Sequence, residues 1–586
     1  MSQAWAKLPA WQWLSVYSRK DFGDDLLASV IVTIMLIPQS LAYALLAGLP
    51  PEAGLYASML PLVVYAVLGS SRVLAVGPVA VLSLMTASAL GAVVAEGESY
   101  ALAAMTLALL SGAFLLLLGV LRLGFVANFL SHAVITGFVA ASGVLIAISQ
   151  LGSVLAIPGG GHNVLERLVS LVSHLGEVHG PTAVVGFATM ALLLFTRSRL
   201  APLLKRLGLS AQAATYVTRG GPVVAVVLSI WAVGAFDLAE AGVAIVGVVP
   251  QGLPGLSLNL PSADLALRLL PSAVLISLVG FVESISVAQS LAMRRRQQIF
   301  PNQELLGLGA ANLAAGLAGG FPVTGGFTRS VVNFDAGAVT PFAGVLTALF
   351  MGLTAAFLTP LFHDLPKAVL AATIIIAVIS LIDVPAMLRT LRQSPQDFSA
   401  MAATMVGVLA LGVELGISCG VLVALGMHLW RSSRPHMAIV GRVPGTEHFR
   451  NVERHEVEVD PRVLSVRVDE SLYFANARFL EDQLLAWVTA RPEVEEVVLL
   501  CSAVNGMDGS AVETLESLNE RLGAASVRLH LSEVKGPVMD HLRRTHLLSE
   551  LSGEVFFTHH AAMKALSSSA PVVPASSAAA LAGQPA

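Results

Sequence analysis

Between Leu26 and Trp430 the chain is a near-continuous series of apolar runs, parted by short polar or Gly/Pro stretches. We count about fourteen, most of them long enough to cross about 30 Å of hydrocarbon. A chain in lipid has no water to satisfy its backbone, so segments exposed to lipid must be helical or close into a barrel. Runs of this length give a polytopic α-helical membrane protein. With 12% charged residues and a mean hydropathy of +0.77, far from the roughly 25% charged residues of soluble proteins, a soluble single-domain enzyme is excluded.

The charges are unevenly spread. Residues 436–586 hold 13 of the 34 Lys+Arg and 20 of the 38 Asp+Glu, which describes an apolar body followed by an acidic, water-soluble part. Such a balance does not suit a nucleic-acid partner. The two cysteines, Cys419 and Cys501, are far apart and form no CxxC pair, so no disulfide framework, metal site or redox cofactor is expected. No Walker loop, HExxH, nucleophile elbow or dinucleotide fingerprint occurs in a usable context.

Four regions follow. Residues 1–25 are an amphipathic lead-in, with Trp5, Trp11 and Trp13 beside Lys7, Arg19 and Lys20, read as an interfacial helix and not as a signal peptide. Residues 26–435 are the membrane domain. Residues 436–566 alternate strand-like stretches (Val463–Val468, Val497–Leu500, Ser526–Leu531) with helical ones (Ala477–Thr489, Ala511–Leu522, Pro537–Thr545), an α/β pattern. Residues 567–586 are mostly Ser, Ala and Pro and are expected to be disordered. His559 and His560 have no partner at ligand spacing and are expected on the surface.

Orientation follows from Lys and Arg. Arg72, Arg122, the group Arg197, Arg199, Lys205, Arg206 and Arg219, then Arg294–Arg296, Arg389 with Arg392, and Arg431 with Arg434 all follow even-numbered runs. The opposite connections are short or acidic, as at Glu52, Glu96, Glu98 and Glu414. Both termini are therefore expected on the cytoplasmic side of a cytoplasmic membrane.

Two runs do not read as ordinary spans. The third, 73–93, opens with the extended-looking Arg72–Val76, then Gly77-Pro78, and only from Val79 turns helical; proline suits a first helical turn and damages a middle one. The tenth, 323–337, opens with Gly319-Gly-Phe-Pro-Val-Thr-Gly-Gly326 and then starts a helix at Phe327. Three and ten differ by seven. Paired interrupted segments at matching places point to an inverted repeat of seven plus seven segments with a substrate site near the midplane. Helix kinks are the plainer alternative. The glycines of the ninth run (Gly307, Gly309, Gly316, Gly319, Gly320) suit close helix packing.

Two helix starts meeting at the midplane would present unpaired N–H groups and positive dipole ends to an anion. The groups concerned are the backbone at Val79-Ala80 and Phe327-Thr328, the Thr328 hydroxyl and the Arg329 guanidinium. A charge at this depth costs about 2.5–3.5 kcal/mol and is a functional candidate by default. Two uses are open to Arg329: binding an oxyanion with its planar fork, or pairing with Asp335 or Glu283. Glu283, mid-span in the eighth run, is a candidate proton carrier or a structural carboxylate. Pro38 should break the first helix, and Gln39 and Tyr43, one turn apart beyond it, line the pocket or pack against neighbours.

Ile37-Pro-Gln-Ser-Leu-Ala-Tyr-Ala44, Ala47–Tyr56, Gly69–Arg72 with Val76–Val81, and Gly325-Gly-Phe-Thr-Arg-Ser330 together resemble the SulP sulfate permeases, the solute carrier 26 family. The soluble end, with Leu472–Asn476 and Val534–Pro537, resembles that family's STAS domain. The resemblance implies fourteen segments in core and gate domains, an elevator-like motion, a homodimer, and an anion held between segments three and ten by Gln39, Tyr43, Val79, Thr328 and Arg329. It implies proton coupling through Glu283, with sulfate as cargo; sodium-coupled bicarbonate or proton-coupled dicarboxylate transport, an anion channel, or an anion sensor signalling to a cytoplasmic partner of the STAS domain are the alternatives. In Met507–Ala511, Gly509 replaces the serine that switched relatives phosphorylate, and a phospho-switch there is not expected.

Overall fold

Ser18 opens the first long helix, α1 (Arg19–Leu46): its hydroxyl accepts the Asp21 N–H while Asp21 reaches back to the Ser18 N–H, a reciprocal cap. The structure is a computed structural model and describes residues 9–93, 99–129, 131–158, 161, 163–208, 210, 214, 217–218, 220–255, 262–567 and 573–574. A short helix lies over Pro9–Leu14, within the expected lead-in, which ends sooner than residue 25 because α1 already begins at Arg19; residues 1–8, with Trp5 and Lys7, lie outside the described residues, as do Glu96, Glu98 and Arg219. The 28 residues of α1 run unbroken through Pro38, so the expected break does not occur. Pro38 removes one donor, and the flanking turns stay fixed by burial of Met35, Leu36, Gln39, Ser40 and Leu41.

Among the described residues nine helices are long and apolar enough to cross a membrane. Ala80–Val93 and Gly221–Ala235 are shorter apolar helices. The close packing expected of the ninth-run glycines is present: a Cβ on Gly309 would lie 2.9 Å from the Gly112 carbonyl, and one on Gly307 2.9 Å from the Gly69 Cα.

The two interrupted runs are built as the sequence suggests. Strand β1 (Val76–Gly77) is followed by helix α2 (Ala80–Val93), and strand β2 (Thr324–Gly325) by helix α5 (Phe327–Asp335), with helices α3 (Ala263–Arg294) and α4 (Pro301–Leu317) between them in the chain. The strands pair antiparallel, Val76 opposite Gly325 and Gly77 opposite Thr324, which brings the two helix starts together. Extended backbone at this depth needs partners, and side chains supply them. The Ala75 N–H donates to Ser330 Oγ at 3.0 Å, the Gly325 N–H to Ser284 Oγ at 2.7 Å, and Asn333 Nδ2 to the Val73 carbonyl at 3.0 Å. Asn312 takes both backbone groups of Val323, each at 2.9 Å. Thr324 Oγ1 donates to the Gly280 carbonyl at 2.6 Å, so the Ser284 hydroxyl is the donor in its 2.5 Å bond to Thr324.

Two buried carboxylates that the sequence reading did not single out hold the ends of these segments. Glu304 in α4 accepts from Tyr65, from the N–H and hydroxyl of Ser70 and from the Ser71 N–H at 2.7–3.1 Å. Asp25 accepts from the Val339 and Thr340 N–H groups at 2.7 and 3.1 Å.

The described residues divide into two compact units at Ala424/Leu425. In the second, strands β3 (Met437–Arg442), β4 (Phe449–Asn451), β5 (Glu458–Val459), β6 (Val463–Val468), β7 (Glu496–Leu500), β8 (Arg528–Ser532), β9 (Val555–Phe556) and β10 (Val573–Pro574) form a sheet ordered β10-β5-β3-β6-β7-β8-β9, with β4 on β3. β6 to β9 are parallel and β3 joins antiparallel; β3 to β5 and β9 were not anticipated. Of the tail expected to be disordered, only Ser567 and Val573–Pro574 are described, the latter as a strand; the rest lies outside the described residues. Helix α6 (Ala477–Thr489) and helix α7 (Gly509–Ala524) cover the sheet, the latter capped by Asp508 on the Ala511 N–H.

His559 corrects an expectation. It is buried, 1% exposed, bonded to Ser465 Oγ at 2.5 Å and Ser532 Oγ at 2.8 Å, and packed edge-on against Phe449. Short polar partners on β6 and β8 satisfy both ring nitrogens, which is why it tolerates the interior. Burial pushes its pKa down to about 4.

Two outcomes follow. Asn312→Leu orphans two buried backbone groups, and at about 1–3 kcal/mol each it should lower the melting temperature of the detergent-solubilised protein well below that of Ser286→Ala, whose hydroxyl bonds only its own helix at Val282. Because folded His559 resists a proton that the unfolded chain accepts below about pH 6.5, the second unit should lose stability as pH falls from 6.5 toward 4. Limited proteolysis across that range should show a shallower pH dependence in His559→Gln.

Candidate functional site

All the residues expected at the site meet in one cavity. Gln39 and Tyr43 of α1, Val79 and Ala80 at the start of α2, Glu283 halfway along α3, and Phe327, Thr328 and Arg329 at the start of α5 line it together with Pro78, Val81 and Gly326. Its volume is about 50 Å³; since one water needs about 10–15 Å³ by this kind of measure, the space suits a small ion and not a bulky metabolite. The fourth wall comes from Ala377, Val378 and Leu381, in and just after the helix Lys367–Ile379. This wall is not legible in the sequence, because aliphatic residues in an apolar run carry no signal of which cavity they face.

Each half-helix contributes its first turn. The first helical bond in α2 is from the Ser83 N–H to the Val79 carbonyl at 2.9 Å, and in α5 from the Ser330 N–H to the Gly326 carbonyl at 3.0 Å. The N–H groups before them, at Ala80 to Leu82 and at Phe327 to Arg329, therefore have no acceptor within their helices. Both positive dipole ends face the same small space.

Arg329 is 2% exposed, and both terminal guanidinium nitrogens are buried without a hydrogen-bond partner. It pairs with neither Asp335 nor Glu283, so the structural pairing left open by the sequence is not made. Two glycines shape its berth: a Cβ on Gly77 would lie 2.9 Å from Arg329 Nη1, and one on Gly326 3.0 Å from Nε and Nη2. In the sequence both read as helix breakers, and their second use appears only once β1 and β2 pair. Gln39 is likewise buried, and its Oε1 has no partner. Tyr43 is buried and Glu283 half-buried, whereas Phe327 and Thr328 are exposed. The site thus offers a desolvated cation, two sets of free N–H groups and a carboxylate that touches the same cavity. A buried guanidinium whose terminal nitrogens lack acceptors is costly, and an anion that enters the cavity offsets that cost.

Comparison with known proteins gives a consistent result. A model described as the sulfate permease family matches residues 22–404, and a STAS domain model matches residues 454–562. "Probable sulfate transporter 4.2" of Arabidopsis thaliana is 35% identical over 566 residues, covering 94% of this chain and 82% of that one. The structure of the murine Solute Carrier 26 family member A9 anion transporter in the inward-facing state superposes with a TM-score of 0.85 at 22% identity, covering 96% of each chain. The transmembrane domain of the cyanobacterial bicarbonate transporter BicA superposes with a TM-score of 0.58 at 22% identity, covering 70% of this chain and 99% of that one.

Replacing Arg329 by Ala should weaken apparent anion affinity about 10- to 100-fold, the loss of a charge-assisted hydrogen bond. Gly77→Ala, which crowds Nη1, should weaken it less and in the same direction. Saturation curves for anion-induced thermal stabilisation check both, and an unchanged affinity in Arg329→Ala would assign this arginine to structure alone.

Proposed function

Because this chain belongs to the sulfate permease family and carries a STAS domain, we propose that it is a secondary active transporter of an inorganic oxyanion, sulfate first, taken up with protons. The observation that carries the reading is the buried Arg329 guanidinium, whose two terminal nitrogens have no acceptor in a cavity bounded by two helix starts. An entering oxyanion accepts from the guanidinium fork and from the N–H groups at Ala80 and at Phe327-Thr328, with Thr328 hydroxyl, Gln39 and Tyr43 completing its surroundings. Glu283 shares the cavity; a proton on its carboxylate removes a negative charge beside the anion, which couples proton entry to anion entry. The relative's name, a sulfate transporter, favours sulfate as cargo.

The remaining parts of the reading follow the family. Fourteen segments form two inverted sets of seven, with the half-helices in a core that moves past a gate. The wall at Ala377, Val378 and Leu381 is apolar, a surface across which a polar core can slide without breaking hydrogen bonds. The protein works as a homodimer in the cytoplasmic membrane with both termini inside, and its STAS domain meets a cytoplasmic protein partner.

The test is labelled sulfate uptake into proteoliposomes under an inward proton gradient, with and without sodium, against unlabelled bicarbonate, succinate and chloride. Proton-driven, sodium-independent uptake blocked by sulfate analogues is expected; bicarbonate or succinate moving in place of sulfate would keep the site and replace the cargo. Glu283→Gln should abolish proton-driven accumulation while leaving anion exchange, and retained accumulation would remove Glu283 from coupling.

A further inference from the structure

Helix α3 is 32 residues long, roughly 48 Å at 1.5 Å per residue, and it touches both half-helices at both of their ends. Near its start, Arg268 donates to the carbonyl of Val93, the last residue of α2, at 2.8 Å and pairs with Asp264 at 2.9 Å. Just past its end, Arg295 donates to the carbonyls of Phe334, at 3.1 Å, and Ala338, and its guanidinium lies 4.3 Å over the Phe334 ring. Phe334 is in the last turn of α5. Between them, Gly280 and Ser284 hold Thr324 and Gly325 of β2. One helix thus places a cation on the C-terminal end of each half-helix and fixes the strand pair from which both start.

The C-terminal end of a helix carries a partial negative charge and carbonyls without helical donors. Those negative ends oppose the positive ends at the cavity, and most strongly where the half-helix is short. α5 has 9 residues and α2 has 14, so their negative ends lie roughly 13 and 21 Å from their starts. A cation on each negative end cancels its opposing field and pins the half-helix along its axis.

We propose that Arg268 and Arg295 are positioning residues for the anion site, raising its affinity from the far ends of the half-helices without touching the anion. Arg295 has the larger effect, because α5 is shorter; each arginine also has a carboxylate neighbour, Asp264 beside Arg268 and Asp25 near Arg295. The inference rests on the anion-transport reading above.

The experiment is the concentration dependence of labelled sulfate uptake by the full-length protein in proteoliposomes, for Arg295→Gln, Arg295→Lys, Arg268→Gln and Arg268→Lys. Arg295→Gln should raise KM about two- to fivefold, with the maximal rate per folded protein within about twofold, and Arg268→Gln should raise it less. The lysine variants, which keep the charge, should recover most of the affinity. Unchanged KM with a maximal rate that falls alongside the yield of folded protein would make these arginines ordinary structural caps, and lysine variants as poor as the glutamines would remove the charge from the explanation; either overturns the inference while leaving transport standing. Wild-type protein that neither takes up sulfate saturably nor is thermally stabilised by it would overturn both readings together. If Arg295→Gln does not fold, Arg295→Lys and the Arg268 pair decide by the same KM comparison.

Discussion

Everything distinctive about this molecule depends on two short stretches of backbone that leave the helix inside a membrane domain. Lipid offers no hydrogen bonds, so Val76–Gly77 and Thr324–Gly325 persist only because they pair with each other and because Ser284, Asn312, Thr324, Ser330 and Asn333 supply the rest. That pairing sets the separation of the two helix starts. It fixes the position of Gly77 and Gly326, and through them the berth of Arg329. The cavity is a by-product of satisfying the backbone.

The same economy explains why polar residues are so unevenly placed in the first 424 residues. Asp25 and Glu304 are buried yet surrounded by donors, and they act as clamps. Arg329 is equally buried, and both of its terminal nitrogens lack an acceptor. The contrast between satisfied and unsatisfied charge separates structure from function more sharply than burial does, since a buried charge that is already paired has nothing left to offer a ligand. The second unit obeys the same rule with opposite result: His559, with both nitrogens bonded and the ring packed on Phe449, is a core residue.

Much of the site was legible in the sequence. Gly77-Pro78 and the glycines around Phe321-Pro322 cannot sit in stable helix, and Arg329 is costly at depth, so helix starts at matching places and a charge beside one of them pointed to an anion site. Helical spacing put Gln39 and Tyr43 on one face but left open whether they line the pocket; their place at the site came from the family resemblance. What was not legible were the partners: Ser284 and Asn312 look like any polar residue in an apolar run, Glu304 and Asp25 look like segment ends, and Ala377, Val378 and Leu381 look like lipid-facing bulk. Pro38 misled because local propensity was weighed without the packing on either side that holds the helix straight.

The sequence by itself determined where the chain enters helix, where it must leave it, and which residues carry charge into the apolar interior, because those are local costs set by each residue's own chemistry. Only the tertiary structure decided which of those charges are satisfied and which are left open. That depends on contacts between residues hundreds of positions apart, such as Gly77 with Arg329 and Ser70 with Glu304, and no local pattern encodes a distance that only folding creates.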